Sequence, residues 1–227
     1  LANSRFQELL ERSLKGFDER RAGGHGQALA ITGHSRLVTN GFQSNDDNNQ
    51  PVISLGSVGI HNGIIVNDRA IAAQRPEIVL HSEVDSELLV GLLRSEFDAC
   101  GDLIEASRRT FETIEGSASR SMFFDSVKCL LLATNTGSLF TLRNASGSFL
   151  AFASERFILQ RLMEEQDLVA WVGKLELAQI KAGHALAIHL DPPGAQPVLV
   201  DFELGREHPA SLNGAFRAAA ASGGVKT

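Results

Sequence analysis

A chain of 227 residues, 43% apolar and 21% charged, has the make-up of an ordinary globular protein and length enough for a substantial core. Its net charge of −6, with lysines and arginines scattered, argues against a nucleic-acid partner, whose phosphates need a basic surface. Two cysteines make no disulfide framework, no apolar stretch approaches a membrane span and no secretory leader is visible, so a cytoplasmic setting without a membrane partner is expected.

Residues 5–17 carry Phe6, Leu9, Leu10, Leu14 and Phe17 at helical spacing, and Gly23-Gly24-His25-Gly26 ends that helix. Residues 27–32 then read as a buried strand, and Asn45-Asp46-Asp47-Asn48-Asn49 as a solvated turn, since a calcium loop would need a Gly and a closing Glu that are absent. Residues 57–61 form a strand, and Asn62-Gly63 is a hairpin signal returning the chain through Ile64-Ile65-Val66. Residues 85–97 are a helix with Leu88, Leu89, Leu92, Leu93 and Phe97 on its apolar face. Asp102 with Glu105 resembles a capping box opening a helix through residue 114.

From Ser121 onward, short apolar runs at 122–124, 127–133, 139–142 and 149–153 alternate with turn residues, as in an antiparallel meander. Residues 155–163 are helical, and residues 184–190 and 197–202 make a last hairpin across Asp191-Pro192-Pro193-Gly194. Strands apolar on nearly every residue need cover on both faces. Two mainly antiparallel sheets packed face to face, with helices on the outer sides, satisfy that. The expectation is one α+β domain over residues 1–205, followed by an Ala- and Gly-rich tail over 206–227.

Three segments carry most of the chemistry: Gly33-His34-Ser35-Arg36-Leu37-Val38-Thr39-Asn40-Gly41, His61-Asn62-Gly63, and Ser82-Glu83-Val84-Asp85-Ser86-Glu87. Taken singly each has a plain reading. Asn62-Gly63 is a turn, Asp85 is an N-cap or first-turn acid, and Arg36 is a solvated loop residue. Taken together they suit an amino acid: guanidinium for the α-carboxylate, carboxylate for the α-ammonium, amide donors for a carbonyl becoming an oxyanion. Cys129 lies in an apolar run and Cys100 has no base beside it in sequence, so both read as structural. The seven histidines show no metal-ligand spacing, and neither metal nor cofactor is called for.

In this order the three segments resemble the motifs of the class II glutamine amidotransferase glutaminase domain, that of glucosamine-6-phosphate synthase more than that of the amidophosphoribosyltransferases. The likeness runs from the first helix to about Phe202. It implies the four-layer αββα sandwich of N-terminal-nucleophile hydrolases. It also implies that Arg36 and Thr39 hold the glutamine α-carboxylate, that Asp85 with the Gly63 carbonyl holds the α-ammonium, and that Asn62 with the Gly63 N–H stabilises the tetrahedral intermediate. The family's nucleophile is an N-terminal cysteine whose own amino group is the base. It is expected upstream of Leu1, with about 5–10 residues of a first strand. The stretch between Gly26 and Gly33 is shorter than the family's. Two readings follow: a glutaminase delivering ammonia to an acceptor on a separate synthase chain, or a module that binds glutamine or docks on a partner without turnover.

Overall fold

The computed structural model describes residues 4–22, 28–35, 48–190 and 198–205. Among them are nine strands and six α-helices. Helix α1 (Ser4–Ala22) covers and extends the predicted first helix, though Leu9 and Leu14 of its apolar stripe stay 46% and 42% exposed. Residues 28–32 form no strand, and Leu29 and Ile31 are exposed; among the described residues no strand pairs with them. Asn48 is fully buried rather than solvated, because its side-chain amide exchanges two hydrogen bonds with Glu83.

Strand β1 (Val52–Ser54) leads into β2 (Ser57–Ile65), followed by α2 (Asp68–Gln74), α3 (Asp85–Cys100) and α4 (Leu103–Thr113). The hairpin expected at Asn62-Gly63 does not form. Both residues lie inside β2, which pairs with β3 (Gly116–Phe124) without a break from Val58↔Phe123 to Ile65↔Gly116. The long-range ladder satisfies the backbone over the whole run, and the local turn preference gives way to it. Asp102 caps α4 as predicted, accepting from Ile104 N and Glu105 N at 3.0 and 3.1 Å, while Glu105 binds Arg108 and Arg109 instead of reaching back.

After a 3₁₀ turn (Asp125–Val127) come β4 (Cys129–Thr134), β5 (Phe140–Asn144), β6 (Leu150–Ala153), α5 (Arg156–Met163), α6 (Gln166–Val172), β7 (Leu175–Gln179), β8 (His184–His189) and β9 (Val198–Glu203). The expected single meander divides between two antiparallel sheets, ordered β1-β2-β3-β4-β8-β9 and β6-β5-β7. The final hairpin is the β8–β9 pair, with its turn outside the described residues.

Four layers result. Phe97, Leu103, Ile104, Met122, Phe124 and Leu131 join α3 and α4 to one face of the large sheet. Leu130, Leu132, Leu186 and Ile188 meet Leu139, Ile180 and Phe152 between the two sheets. Leu142 and Leu175 meet Leu159 and Leu168 between the small sheet and α5/α6. The side chains of β2 alternate accordingly: Ser57, Gly59, His61 and Ile65 turn towards the helices, and the Asn62 side chain emerges on the opposite face.

Candidate active site

The site is assembled on the far end of β2. Ala118, opposite Gly63, donates to Asn135 Oδ1 (2.8 Å) and accepts from Asn135 N (3.0 Å). The alternation of an antiparallel ladder therefore turns the N–H and C=O of Gly63 away from β3, towards the other edge of β2. β1 pairs only as far as Gly59 and does not reach them. The backbone groups on either side along this edge are occupied. The Gln50 side-chain amide continues the ladder where β1 stops, donating to His61 O (2.8 Å) and accepting from His61 N (2.6 Å). The Asp85 carboxylate accepts from Ile65 N at 2.7 Å. Gly63 thus presents a donor and an acceptor between two rigidly held neighbours.

Only glycine fits there. Gly63 has φ +145°, and a Cβ would lie 2.0 Å from Ser117 O and 2.9 Å from His61 Nε2. That close approach lets Ser117 O reach the His61 ring (Nε2, 3.2 Å), while the Ser117 hydroxyl takes Ile64 N instead (3.3 Å).

Asp85 is the first residue of α3, but the cap position is Val84, with extended backbone and no side-chain cap. Of the two plain readings of Asp85, N-cap and first-turn acid, the second holds: it is a buried acid of the first turn, one of whose carboxylate oxygens accepts from the neighbouring strand. Two residues of strand span roughly 7 Å, so Asp85 stands within reach of a ligand seated on Gly63. Glu87, in the same first turn, organises the approach. Its burial works against charge, but Ser82 N and Oγ and His81 N and Nδ1 all bond it at 2.6–3.1 Å and hold the carboxyl below its ordinary value. The Ser-x-x-Asp-Ser-Glu segment is therefore a latch: Glu87 closes on Ser82, and Ser86 meets His61 Nδ1 (3.3 Å).

His61 is the meeting point of the three segments. It is 3% exposed, and its Nδ1 lies 3.9 Å from Asp85 Oδ1. Burial depresses its pKa; Asp85 and the Ser117 carbonyl oppose this, while the charges of Arg120 and His34 reinforce it. His34, from the described start of the first motif, is near enough to act on the ring through its charge. Arg36 and Thr39, predicted to hold an α-carboxylate, lie outside the described residues. Of the residues that build the site, Gln50, Ser86, Glu87 and Ser117 escaped the sequence reading. Ser86 and Glu87 stood inside a recognised motif, whereas Gln50 and Ser117 carried no signal, because their roles depend on strand register.

Neither cysteine of the chain is placed for nucleophilic work. Cys129 opens β4 in the core, where burial pushes its thiol up to about 12. Cys100 ends α3, raised by burial, its thiol donating to Asp102 O. Among the described residues no group of three His, Cys, Asp or Glu side chains is placed to hold a metal.

Residues 34–161, more than half of the chain, match the family profile described as a glutamine amidotransferase domain. Glutamine–fructose-6-phosphate aminotransferase (isomerizing) of Streptomyces coelicolor is 36% identical over 88 residues, 37% of this chain and 14% of that protein. The enzyme of the same name from Halobacterium salinarum is 28% identical over 128 residues, 56% of this chain and 21% of its own length. The chain thus spans a minor part of the relatives it matches. Among solved structures, the glutamine phosphoribosylpyrophosphate amidotransferase of B. subtilis superposes with a TM-score of 0.55 at 15% identity, over 77% of this chain and 34% of that one. The two-sheet sandwich is accordingly that of the N-terminal-nucleophile amidotransferases.

Proposed function

The chain belongs to the glutamine amidotransferase domain family, and from that premise we propose that it hydrolyses the carboxamide of glutamine for a separate ammonia acceptor. The observation that carries this reading is the edge of β2, where Gly63 offers N–H and C=O between Gln50-bound His61 and Asp85-bound Ile65. The Asp85 carboxylate and the Gly63 carbonyl take the α-ammonium of glutamine. Arg36 and Thr39 take its α-carboxylate. The thiolate of an N-terminal cysteine, preceding Leu1, attacks the carboxamide carbon, and its own amino group holds the thiol proton. The new C–S bond leaves a negative oxygen, which the Asn62 amide and the Gly63 N–H receive. The C–N bond then breaks, the leaving nitrogen takes the proton from the amino group and departs as ammonia, and water cleaves the thioester to glutamate. The ammonia passes to a synthase domain or chain that uses it, and the setting is cytoplasmic.

The test is glutamate release from glutamine by the full-length protein, before and after thiol alkylation. Turnover abolished by alkylation is expected. Saturable glutamine binding without glutamate release would reject the hydrolytic assignment. Asp85→Asn is the discriminating variant, because its side-chain oxygen can still accept from Ile65 N while the charge is gone. The fold should survive and the glutamine KM should rise by the equivalent of about 2–5 kcal/mol. Unchanged KM would remove Asp85 from the site. Asn62→Ala should instead lower kcat by about 10²–10³ with little change in KM, its donor being needed in the transition state.

A further inference from the structure

Arg120 is the most anomalous residue of the large sheet. It is 1% exposed, and among the described residues its Nε, Nη1 and Nη2 have no hydrogen-bond partner; its one marked contact is the Phe111 ring, 4.4 Å from the guanidinium carbon. A buried cation without a counter-charge is costly, and burial lowers this one to about 9, which leaves it charged at neutral pH. Core packing would be served as well by an apolar side chain.

Its position gives the charge a use. Arg120 stands directly opposite His61 across the β2–β3 ladder. The His61 backbone is bonded to Gln50 on the other edge, so this is a pair without mutual hydrogen bonds, in which side chains come closest, with Cα atoms about 4.5 Å apart. His61 Nε2 faces the Ser117 carbonyl, which can only accept, so the ring proton sits on Nε2. Nδ1 then carries the lone pair and accepts from the Ser86 hydroxyl. A second proton on Nδ1 would place a cation 3.9 Å from Asp85 Oδ1. The charged groups facing the ring are Asp85 from α3, which favours that proton, and Arg120 from β3 and His34 from residues 28–35, which oppose it.

We propose that Arg120 is a positioning residue: its buried charge, opposite His61 in the ladder, adds to burial in disfavouring a second proton on the imidazole and so leaves the Asp85 carboxylate free for the ammonium of the ligand. Protonated His61 is an internal competitor for that ammonium site. The inference rests on the reading of Asp85 as the ammonium site.

The experiment is the glutamine KM of the full-length protein between pH 5 and 8, for the wild type, Arg120→Met, Arg120→Lys and His61→Gln. The wild-type KM should be flat to the acid end of the range. Arg120→Met should show KM climbing as pH falls, from a higher onset and by about tenfold per unit below it, with kcat following a separate profile. Arg120→Lys, which keeps the charge, should retain the wild-type shape. Adding His61→Gln to Arg120→Met should flatten the profile again. A parallel KM profile in Arg120→Met and wild type overturns the proposal. If Arg120→Met does not fold, Arg120→Gln, which keeps a polar side chain of similar reach without the charge, takes its place under the same criterion: an acid-end rise in KM is expected, and a profile parallel to the wild type overturns the proposal. Asp85→Asn separates the two levels. Unchanged KM there rejects the ammonium site itself, whereas a raised KM there beside an unaltered Arg120→Met profile rejects this proposal alone.

Discussion

At Gly63 a single hydrogen atom decides whether two strands can close. An added methyl would meet Ser117 O at 2.0 Å, and that oxygen belongs to backbone already committed to the ladder. Gly63→Ala should therefore cost roughly 3 kcal/mol or more, read as a shift of the urea midpoint. Gly59, two residues earlier, makes the contrast: its Cβ would meet only the side-chain atoms Val90 Cγ2 and Met122 Cγ below 3 Å. Those can move, so Gly59→Ala should cost about 1–3 kcal/mol. His61 makes a pH prediction at the same scale. Its folded pKa lies below the ordinary 6.5, so the unfolded chain binds the proton more readily. Stability should consequently fall as pH drops below about 6.5, and His61→Gln should remove that part of the slope in Tm against pH. A slope unchanged by the substitution would show that the ring titrates normally in the folded protein.

Helix α3 shows an element being aimed rather than merely packed. Eleven of its residues are buried, among them Asp85, Ser86 and Glu87 in its first turn. Its apolar face was plain in the leucine spacing, but the acidic first turn reads equally as solvated charge until the neighbouring strand and loop are known. Glu87→Ala should leave Ser82 N and His81 N without their acceptor, costing about 1–3 kcal/mol and raising the glutamine KM by loosening the loop that enters at Asp85. An unchanged KM would mean that Asp85 is held by Ile65 alone. What was legible in the sequence was whatever local spacing dictates: α1, α3, the Asp102 cap, and the β8–β9 pair. What was not legible depends on partners far along the chain. Asn62-Gly63 has strong turn chemistry, yet β3, more than fifty residues later, keeps it extended. The short elements β1, α2, α6 and β7 went unanticipated because three to seven residues carry too little periodicity to register. The site followed the same division, its motifs visible as strings and its Gln50 and Ser117 supports visible only in register.

In the whole molecule the candidate site lies in one half. Gly63, Asp85, His61 and Arg120 belong to the large sheet and α3, while β5, β6, β7, α5 and α6 make an excursion that leaves after Thr134 and returns at His184. Thr134 and His184 are ladder partners, so the excursion enters and exits at one point of a sheet that closes without it. Its outer helices are short and leave Phe157, Ile158 and Trp171 exposed. Such a unit can open as a separate cooperative block, well below the free energy of global unfolding. Native-state hydrogen exchange should then find β5–β7 amides exchanging together and earlier than those of β3, β4 and β8. Equal protection throughout would mark a single cooperative unit. A glutamine site built on the slowly exchanging half would keep its geometry through every such opening, so that ligand should protect β2 and α3 while leaving the exchange of the small sheet untouched.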